Sequence, residues 1–239
     1  MKVDILAFGA HPDDIELGAG GTLAHHIKKG YKAAIVDLTQ GDLGTRGTIE
    51  LRMAEADAAG KILGLSAREN LKFRDGFFVN DEAHQMEVIR MIRKYQPKIV
   101  IANAIRDRHP DHGKGSDLVS TSCFLAGLRR IETVDEQGNA QDPWRPEAVY
   151  HYIQFYDLPP DLVVDVSDSI DQKMQSIEAY ASQFYDPNST EPATVISSKQ
   201  FLDVQKSRCA QWGQRVGVAY GEAFTVERYV GVDDLTTLL

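Results

Sequence analysis

Val3-Asp4-Ile5-Leu6-Ala7-Phe8-Gly9-Ala10-His11-Pro12-Asp13-Asp14 runs apolar and then ends in a histidine, a proline and two carboxylates. Val3, Ile5, Leu6, Ala7, Phe8 and Ala10 do not alternate with polar residues, as expected of a strand buried on both faces of a parallel sheet. The polar group therefore falls at the strand's carboxyl end, where ligands bind in open α/β sheets. A second run, Lys98-Ile99-Val100-Ile101-Ala102-Asn103-Ala104, delivers Arg106-Asp107-Arg108-His109-Pro110-Asp111-His112 in the same manner. Two parallel strands with neighbouring carboxyl ends would bring His11, Asp13 and Asp14 within reach of His109 and His112.

The rest of the chain supports that reading. Gly18-Ala19-Gly20-Gly21-Thr22 predicts a loop, followed by a helix from Leu23 that Gly30 stops. Lys32 to Thr39 reads as a strand, Gln40 to Thr48 as a glycine-bearing loop able to approach a ligand, and Thr48 as the N-cap of a helix running to Leu63 before Gly64. Asn70 to Phe73 is a short strand and Glu82 to Tyr95 a helix, while a further helix runs from near Lys114 to about Arg130. After a surface loop at 135–146, strands are expected at Ala148 to Tyr156 and Leu162 to Val166, and helices at Ser167 to Phe184 and Ser197 to Arg215. Tyr185 to Ala193 reads as a mobile loop. Strands alternating with helices predict an α/β fold, a Rossmann-like, mostly parallel sheet with helices on both faces, in a single domain over 1–239.

Bulk composition narrows the function classes. Apolar residues make up 43% and charged residues 26%, ordinary globular usage, and no apolar run approaches the roughly 20 residues of a membrane span. A net charge of −9 disfavours nucleic acid as a partner, because phosphate binding relies on clustered lysine and arginine. No membrane partner is expected either. The N-terminus lacks a secretory pattern, so a cytoplasmic location is expected. Cys123 and Cys209 are too isolated for a disulfide framework or a thiolate zinc site and read as buried thiols.

Of the seven histidines, His11, His109 and His112 lie at the strand ends, whereas His25, His26, His84 and His151 have no such setting. His11, Asp14 and His112 supply two imidazoles and a carboxylate, the donor set of a catalytic divalent metal with an open position. Zinc is the first expectation, and ferrous iron could occupy the same ligands. Asp13, adjacent to Asp14 but pointing elsewhere, is free to act as the base that takes a proton from water. His109 is expected to stabilise an oxyanion as an imidazolium and to protonate the leaving amine, with Asp111 holding its tautomer. Arg46, Arg52, Arg106 and Arg108 are candidate substrate hooks, because a guanidinium can fork a carboxylate or donate to sugar hydroxyls. Arg52 and Arg108 stand out, with Asp107 grouped beside them as a substrate contact, while Arg46 and Arg106 are expected to be solvated. Gly18-Ala19-Gly20-Gly21 is no dinucleotide fingerprint, since three acids precede it and would repel a pyrophosphate. Close helix packing explains those glycines better.

Ala10-His11-Pro12-Asp13-Asp14 together with His109-Pro110-Asp111-His112 resembles the LmbE-like zinc deacetylases, also called the PIG-L family. The likeness extends through Gly20-Gly21-Thr22-Leu23, Thr39-Gln40-Gly41-Asp42, Arg52-Met53-Ala54-Glu55-Ala56 and Leu63-Gly64. It implies hydrolysis of an N-acetyl group from a small-molecule glucosamine derivative. It matches His11, Asp14 and His112 to zinc ligands, Asp13 to the general base, His109 to the oxyanion-stabilising histidine, and Arg52 and Arg108 to substrate-contacting arginines. Many members carry an acid directly after the paired aspartates, whereas here Ile15 precedes Glu16. Gly41-Asp42-Leu43-Gly44-Thr45-Arg46-Gly47-Thr48 and Tyr150-His151-Tyr152 look most like members of bacillithiol biosynthesis, which act on N-acetylglucosaminyl malate. Some relatives place a tyrosine of the late loop over the metal, near Tyr185 and Phe201 here, and many form trimers or hexamers, so a homo-oligomer is expected. Other readings are a deacetylase of another N-acetylglucosamine conjugate, a metal-dependent phosphoesterase, and a sugar-binding protein that keeps the fold without catalysis.

Overall fold

In the computed structural model, which describes residues 1–238, the opening apolar run forms β1 (Ile5–Gly9), buried along its whole length. Its alternate side chains serve two cores. Leu6 and Phe8 pack on one face with Val36, Val100, Val88, Ile92 and Leu118, and Ile5 and Ala7 pack on the other with Ile15, Leu23, Ile35 and Ile101. Burial on both faces is why the strand shows no polar alternation.

β1 pairs in parallel with β2 (Ala33–Thr39) on one side and β4 (Ile99–Ala102) on the other. β3 (Ala67–Phe73) extends the sheet beyond β2, and β5 (Ala148–Tyr152) extends it beyond β4, both in parallel. The last two strands, β7 (Gly221–Val226) and β6 (Leu162–Asp165), complete the order β3-β2-β1-β4-β5-β7-β6, with β7 antiparallel to both of its neighbours. The chain winds outward from β1 to β3, returns to the centre, and winds the other way from β4. The gap between the carboxyl ends of β1 and β4 is therefore the topological switch point, where a crevice opens.

The helices are α1 (Asp14–Lys28), α2 (Ile49–Leu63), α3 (Glu82–Tyr95), α4 (Pro110–Ala126), α5 (Ile170–Glu178) and α6 (Lys199–Arg215). Thr48 caps α2, its Oγ1 accepting from the Leu51 amide at 3.2 Å, and Gly64 ends the helix at φ 81°. Among the described residues, no helix is long and apolar enough to cross a membrane.

Several boundaries differ from expectation, among them β3, which starts at Ala67 rather than Asn70, and β5, which ends at Tyr152 rather than Tyr156. α1 starts at Asp14 rather than Leu23, so the glycines lie inside a helix. Packing explains them: a Cβ on Gly18 would stand 2.2 Å from Tyr152 Cδ2, and one on Gly21 would stand 3.0 Å from Val166 Cβ. α4 starts at Pro110, which suits a helix's first turn because proline lacks an amide hydrogen, and this places His112 on the helix. α5 ends at Glu178, well short of Phe184.

α1 is also spliced. The Glu222 carboxylate accepts from the Gly21 amide at 3.0 Å and the Thr22 amide at 2.7 Å, groups that an uninterrupted helix would use internally. The ammonium of Lys173 donates to the Leu17 carbonyl at 2.6 Å and the Glu16 carbonyl at 3.1 Å, and pairs with Glu222 at 2.5 Å. Within the continuous helix, an anion thus meets amides and a cation meets carbonyls, each a favourable pairing with the backbone dipoles. Burial lowers the Lys173 pKa, but the Glu222 charge more than offsets this and leaves it raised.

Candidate active site

The two strand-end clusters meet at the switch point. His11, Asp13, Asp14, His109 and His112 line one cleft of about 640 Å³, with Gly41 to Thr45 on one rim and Ala193 to Ile196 on another.

Asp14 bridges the two expected imidazole ligands. Its Oδ1 is 3.1 Å from His112 Nε2, and its Oδ2 is 3.5 Å from His11 Nδ1. Asn103 Nδ2 at 3.1 Å and Gln154 Nε2 at 2.8 Å donate to the same carboxylate and fix its plane. Burial works against the charge of Asp14, yet the His112 and His11 imidazoles hold its pKa well below the usual carboxylate range. Burial likewise works against His112, but Asp14 and Asp107 raise it to about 9. His11 is also raised, its partners Asp111, Asp14 and Asp75 outweighing desolvation. The imidazoles thus hold protons against a carboxylate, in positions that a divalent cation could take over, and imidazole and carboxylate donors of this kind suit such an ion.

Among the described residues, the donor atoms that lie within 4.8 Å of one another are those of His11, His109 and His112, which offers His109 as a ligand, and those of His11, Asp75 and Asp111, while Asp14 belongs to neither group. The tautomer of His109 argues against that role. The Asp111 amide donates to His109 Nδ1 at 3.3 Å, so a neutral ring carries its proton on Nε2 and acts as a donor. Burial and the neighbouring His11 and His112 lower the His109 pKa, which favours the neutral form over the expected imidazolium. The structure also corrects the role given to Asp111: its backbone, not its carboxylate, sets the His109 tautomer. The carboxylate instead accepts from the Gly76 amide at 2.7 Å and from Lys114 at 3.0 Å, 3.6 Å from His11 Nε2.

Asp13 sits on a strained turn, with φ at 122°, a region that side chains rarely adopt. Arg52 holds it there. The guanidinium donates to the Pro12 carbonyl through Nε and Nη2 (3.1 and 2.7 Å), to Asp13 Oδ2 at 2.8 Å and to Gln183 Oε1 at 2.7 Å. Arg52, expected on the substrate, lines the cleft while its hydrogen bonds go to the turn and Gln183. Burial pushes the Asp13 carboxyl up to about 7, with the Arg52 charge acting in the opposite direction.

Asp107 is also redirected. Its Oδ2 takes His112 Nδ1 at 2.7 Å and its Oδ1 takes the Phe155 and Tyr156 amides, so it orients the imidazole rather than meeting substrate. Arg108 is exposed on the rim, 5.0 Å over the Phe155 ring, where a ligand can reach it. Arg106 is solvated as expected, whereas Arg46 is buried with Nη2 on Ser189 Oγ at 2.6 Å. Glu16 faces the core, where Arg68 and the Tyr180 hydroxyl bind it. Tyr185 is exposed, and Phe201 lines a recess beside His109 and His112. Cys123 and Cys209 are free and buried.

Sequence reading missed Asp75, whose Oδ1 is 3.0 Å from His11 Nε2 while its Oδ2 accepts from the Leu43 amide. A signal was present: Arg74-Asp75-Gly76 follows β3 just as the two recognised clusters follow β1 and β4. Asn103, Gln154 and Gln183 carried no such signal.

Comparison with known proteins agrees with this geometry. Residues 6–123 match the model of the PIG-L family, described as GlcNAc-PI de-N-acetylase. The diacetylchitobiose deacetylase of Thermococcus kodakarensis is 30% identical over 190 residues, covering 75% of this chain and 70% of that protein. The uncharacterized deacetylase YaiS of Escherichia coli K12 is 41% identical over 116 residues, covering 45% of this chain and 61% of that protein. Among solved structures, a conserved protein of Thermus thermophilus superposes with a TM-score of 0.86 at 33% identity, covering 98% of both chains. A mostly parallel sheet carrying paired histidine and aspartate clusters at its switch point, with relatives of this identity and coverage, places the chain in the PIG-L (LmbE-like) deacetylase family.

Proposed function

We propose that the chain is a metal-dependent amidohydrolase that removes the acetyl group from an N-acetylglucosaminide, with N-acetylglucosaminyl malate as the foremost substrate. The observation that carries this reading is the pairing of Asp13 with the Asp14-bridged imidazoles. A buried base with its pKa near neutrality lies beside a cation-binding donor set in one cleft.

His11, Asp14 and His112 would hold zinc or ferrous iron, and such an ion supplies a Lewis acid that polarises the carbonyl and acidifies water. Asp107 and Asp75 orient the two imidazoles through their outer nitrogens. Asp13 receives the proton of the attacking water on the carboxylate that Arg52 positions. His109, neutral and protonated on Nε2, donates to the oxyanion as the carbonyl carbon becomes tetrahedral. The proton taken by Asp13 is then available to the departing amine, so the neutral His109 need not supply it. Acetate and a free glucosamine nitrogen are the products.

The malate conjugate is favoured because its carboxylates need local positive charge on a chain of net charge −9, and Arg108 stands exposed on the rim. Acetate release by the metal-reconstituted protein tests the proposal, comparing the malate conjugate with free N-acetylglucosamine and diacetylchitobiose. Preference for the conjugate supports the full reading. Turnover of the neutral sugars alone keeps the chemistry and removes the malate assignment.

A further inference from the structure

His151 lies outside the cleft, on β5, where it stands in register with Ala102 at the carboxyl end of β4. It is buried, and both ring nitrogens are engaged. Nδ1 is 3.0 Å from the Asn103 carbonyl and 2.9 Å from Ser116 Oγ, and Nε2 is 3.0 Å from Glu227 Oε1. Asn103 is in turn the residue whose Nδ2 donates to Asp14 Oδ2 at 3.1 Å. We propose that His151 is a positioning residue of the metal centre, which holds the main chain of Asn103 and, through the Asn103 amide, the plane of the Asp14 carboxylate. The inference rests on the metal-dependent reading and adds to it a residue that stands behind the ligands it serves.

The partners dictate the state of the ring. A main-chain carbonyl can only accept, so the contact with Asn103 requires a proton on Nδ1. An ionised carboxylate can also only accept, so the contact with Glu227 requires a proton on Nε2. Burial works against the charge of Glu227, yet its bonds with His151 and Ser120 hold its pKa below the usual glutamate range. The ring therefore keeps both contacts as an imidazolium, with Ser116 Oγ accepting beside the carbonyl. Its surroundings suit a cation: Glu227, Asp117 and Asp161 line the groove that the ring faces, and neither lysine nor arginine is among the residues lining it.

Asn103 needs such a hold. It is fully buried and follows the last residue of β4, two positions past Ile101, where the ladder with β1 ends. Its Oδ1 has no hydrogen-bond partner among the described residues, so the far side of the amide does nothing to keep Nδ2 on Asp14. What sets the direction of the side chain is the placement of its main chain, and His151 bonds that main chain directly. The path runs from β5 across the end of β4 to the first turn of α1. Partners of this kind, which orient a ligand without touching the metal, govern metal affinity.

The test reads zinc affinity by chelator competition, with no substrate present. His151→Phe keeps an aromatic ring and removes both bonds, and should weaken zinc binding about 10-fold, while Asn103→Ala should weaken it about 10–100-fold. Because His151 acts through Asn103, the double variant should bind zinc within about 2-fold of Asn103→Ala alone, whereas a merely structural role would multiply the two losses. Native affinity in folded His151→Phe overturns the inference, as does a loss in the double variant nearer the product than Asn103→Ala alone. Nitrogen NMR of the histidine rings in the native protein needs no variant and decides the matter should either variant fail to fold. Protons on both nitrogens of His151 are expected, and an Nδ1 without one overturns the bond to Asn103. A native protein that binds no zinc overturns the metal-dependent reading, and this inference with it.

Discussion

Arg52 Nη2 lies 2.8 Å from Asp13 Oδ2, and the same guanidinium nitrogen lies 2.7 Å from the carbonyl of Pro12. One cation thus holds both the candidate base and the strained turn that presents it. Replacing Arg52 with alanine should lower kcat by about 10²-fold, the usual loss when a reacting group drifts by an ångström. It should also move the acid limb of the pH profile. Asp13 works deprotonated, so activity is lost as pH falls through its pKa, which burial has raised to about 7 against the pull of Arg52. Without the guanidinium that pKa rises further and the limb shifts to higher pH. A bound cation lowers the limb in both proteins and leaves the direction of the difference intact. Steady-state profiles of the two proteins settle the matter, and an unshifted limb would disconnect Arg52 from the base.

Metal uptake should release protons. His112 is held near pKa 9 by Asp14 and Asp107 despite burial, so at neutral pH an incoming ion must displace a proton from it. Apparent zinc affinity should climb as pH rises toward that value and level off beyond it. Calorimetry in buffers of differing ionisation enthalpy reads the proton count directly. Asp107→Ala removes the partner at 2.7 Å from His112 Nδ1 and should weaken zinc binding about 10–100-fold. Equal affinity in the variant would mean that the ring needs no such orientation.

Gly18 is closed to any side chain. A Cβ there would stand 2.2 Å from the ring of Tyr152, which is itself fully buried. Gly18→Ala should therefore cost about 1–3 kcal/mol by overpacking, lowering Tm by about 2–4 °C for each kcal/mol in a chain of this size. Gly231, with nothing within 4 Å of its Cβ position, is the control that should remain near wild-type.

The splice in α1 makes a different stability prediction. Lys173→Met strands the buried Glu222 carboxylate and should cost about 3–5 kcal/mol in urea unfolding, with part of the loss recovered when Glu222→Gln is added. The sign of the pH dependence follows from the raised Lys173 pKa. Its stabilisation is complete below the ordinary lysine value of about 10.4 and is lost as pH climbs through the higher folded value. The gap between wild-type and Lys173→Met should stay constant at neutral pH and narrow only in strong alkali.

Much of this architecture could be read in the chain because burial on both faces of β1 and β4 leaves unbroken apolar runs, and each run ends in residues of unmistakable chemistry. The meeting of His11, Asp14 and His112 followed from strand order alone. Helix starts were harder to place. Gly18 and Gly21 have low helix propensity, and only contact with Tyr152 and Val166, distant in sequence, reveals why they belong in α1. The partners of Arg52 and Asp107 were not legible for a related cause. Sequence shows that an arginine or an aspartate lies near a site, but whether it faces substrate or holds a neighbour depends on side-chain direction, which no spacing encodes.

The splice also ties distant parts of the chain together. The amides of Gly21 and Thr22 and the carbonyls of Glu16 and Leu17 find their partners 156 to 201 residues away, on α5 and β7. Helices ordinarily rely on local contacts, but α1 also draws on a strand that lies between β5 and β6. Asp14, on the first turn of the same helix, thus stands on a segment tied to both halves of the chain, and the metal-facing end of β1 is anchored by residues far downstream.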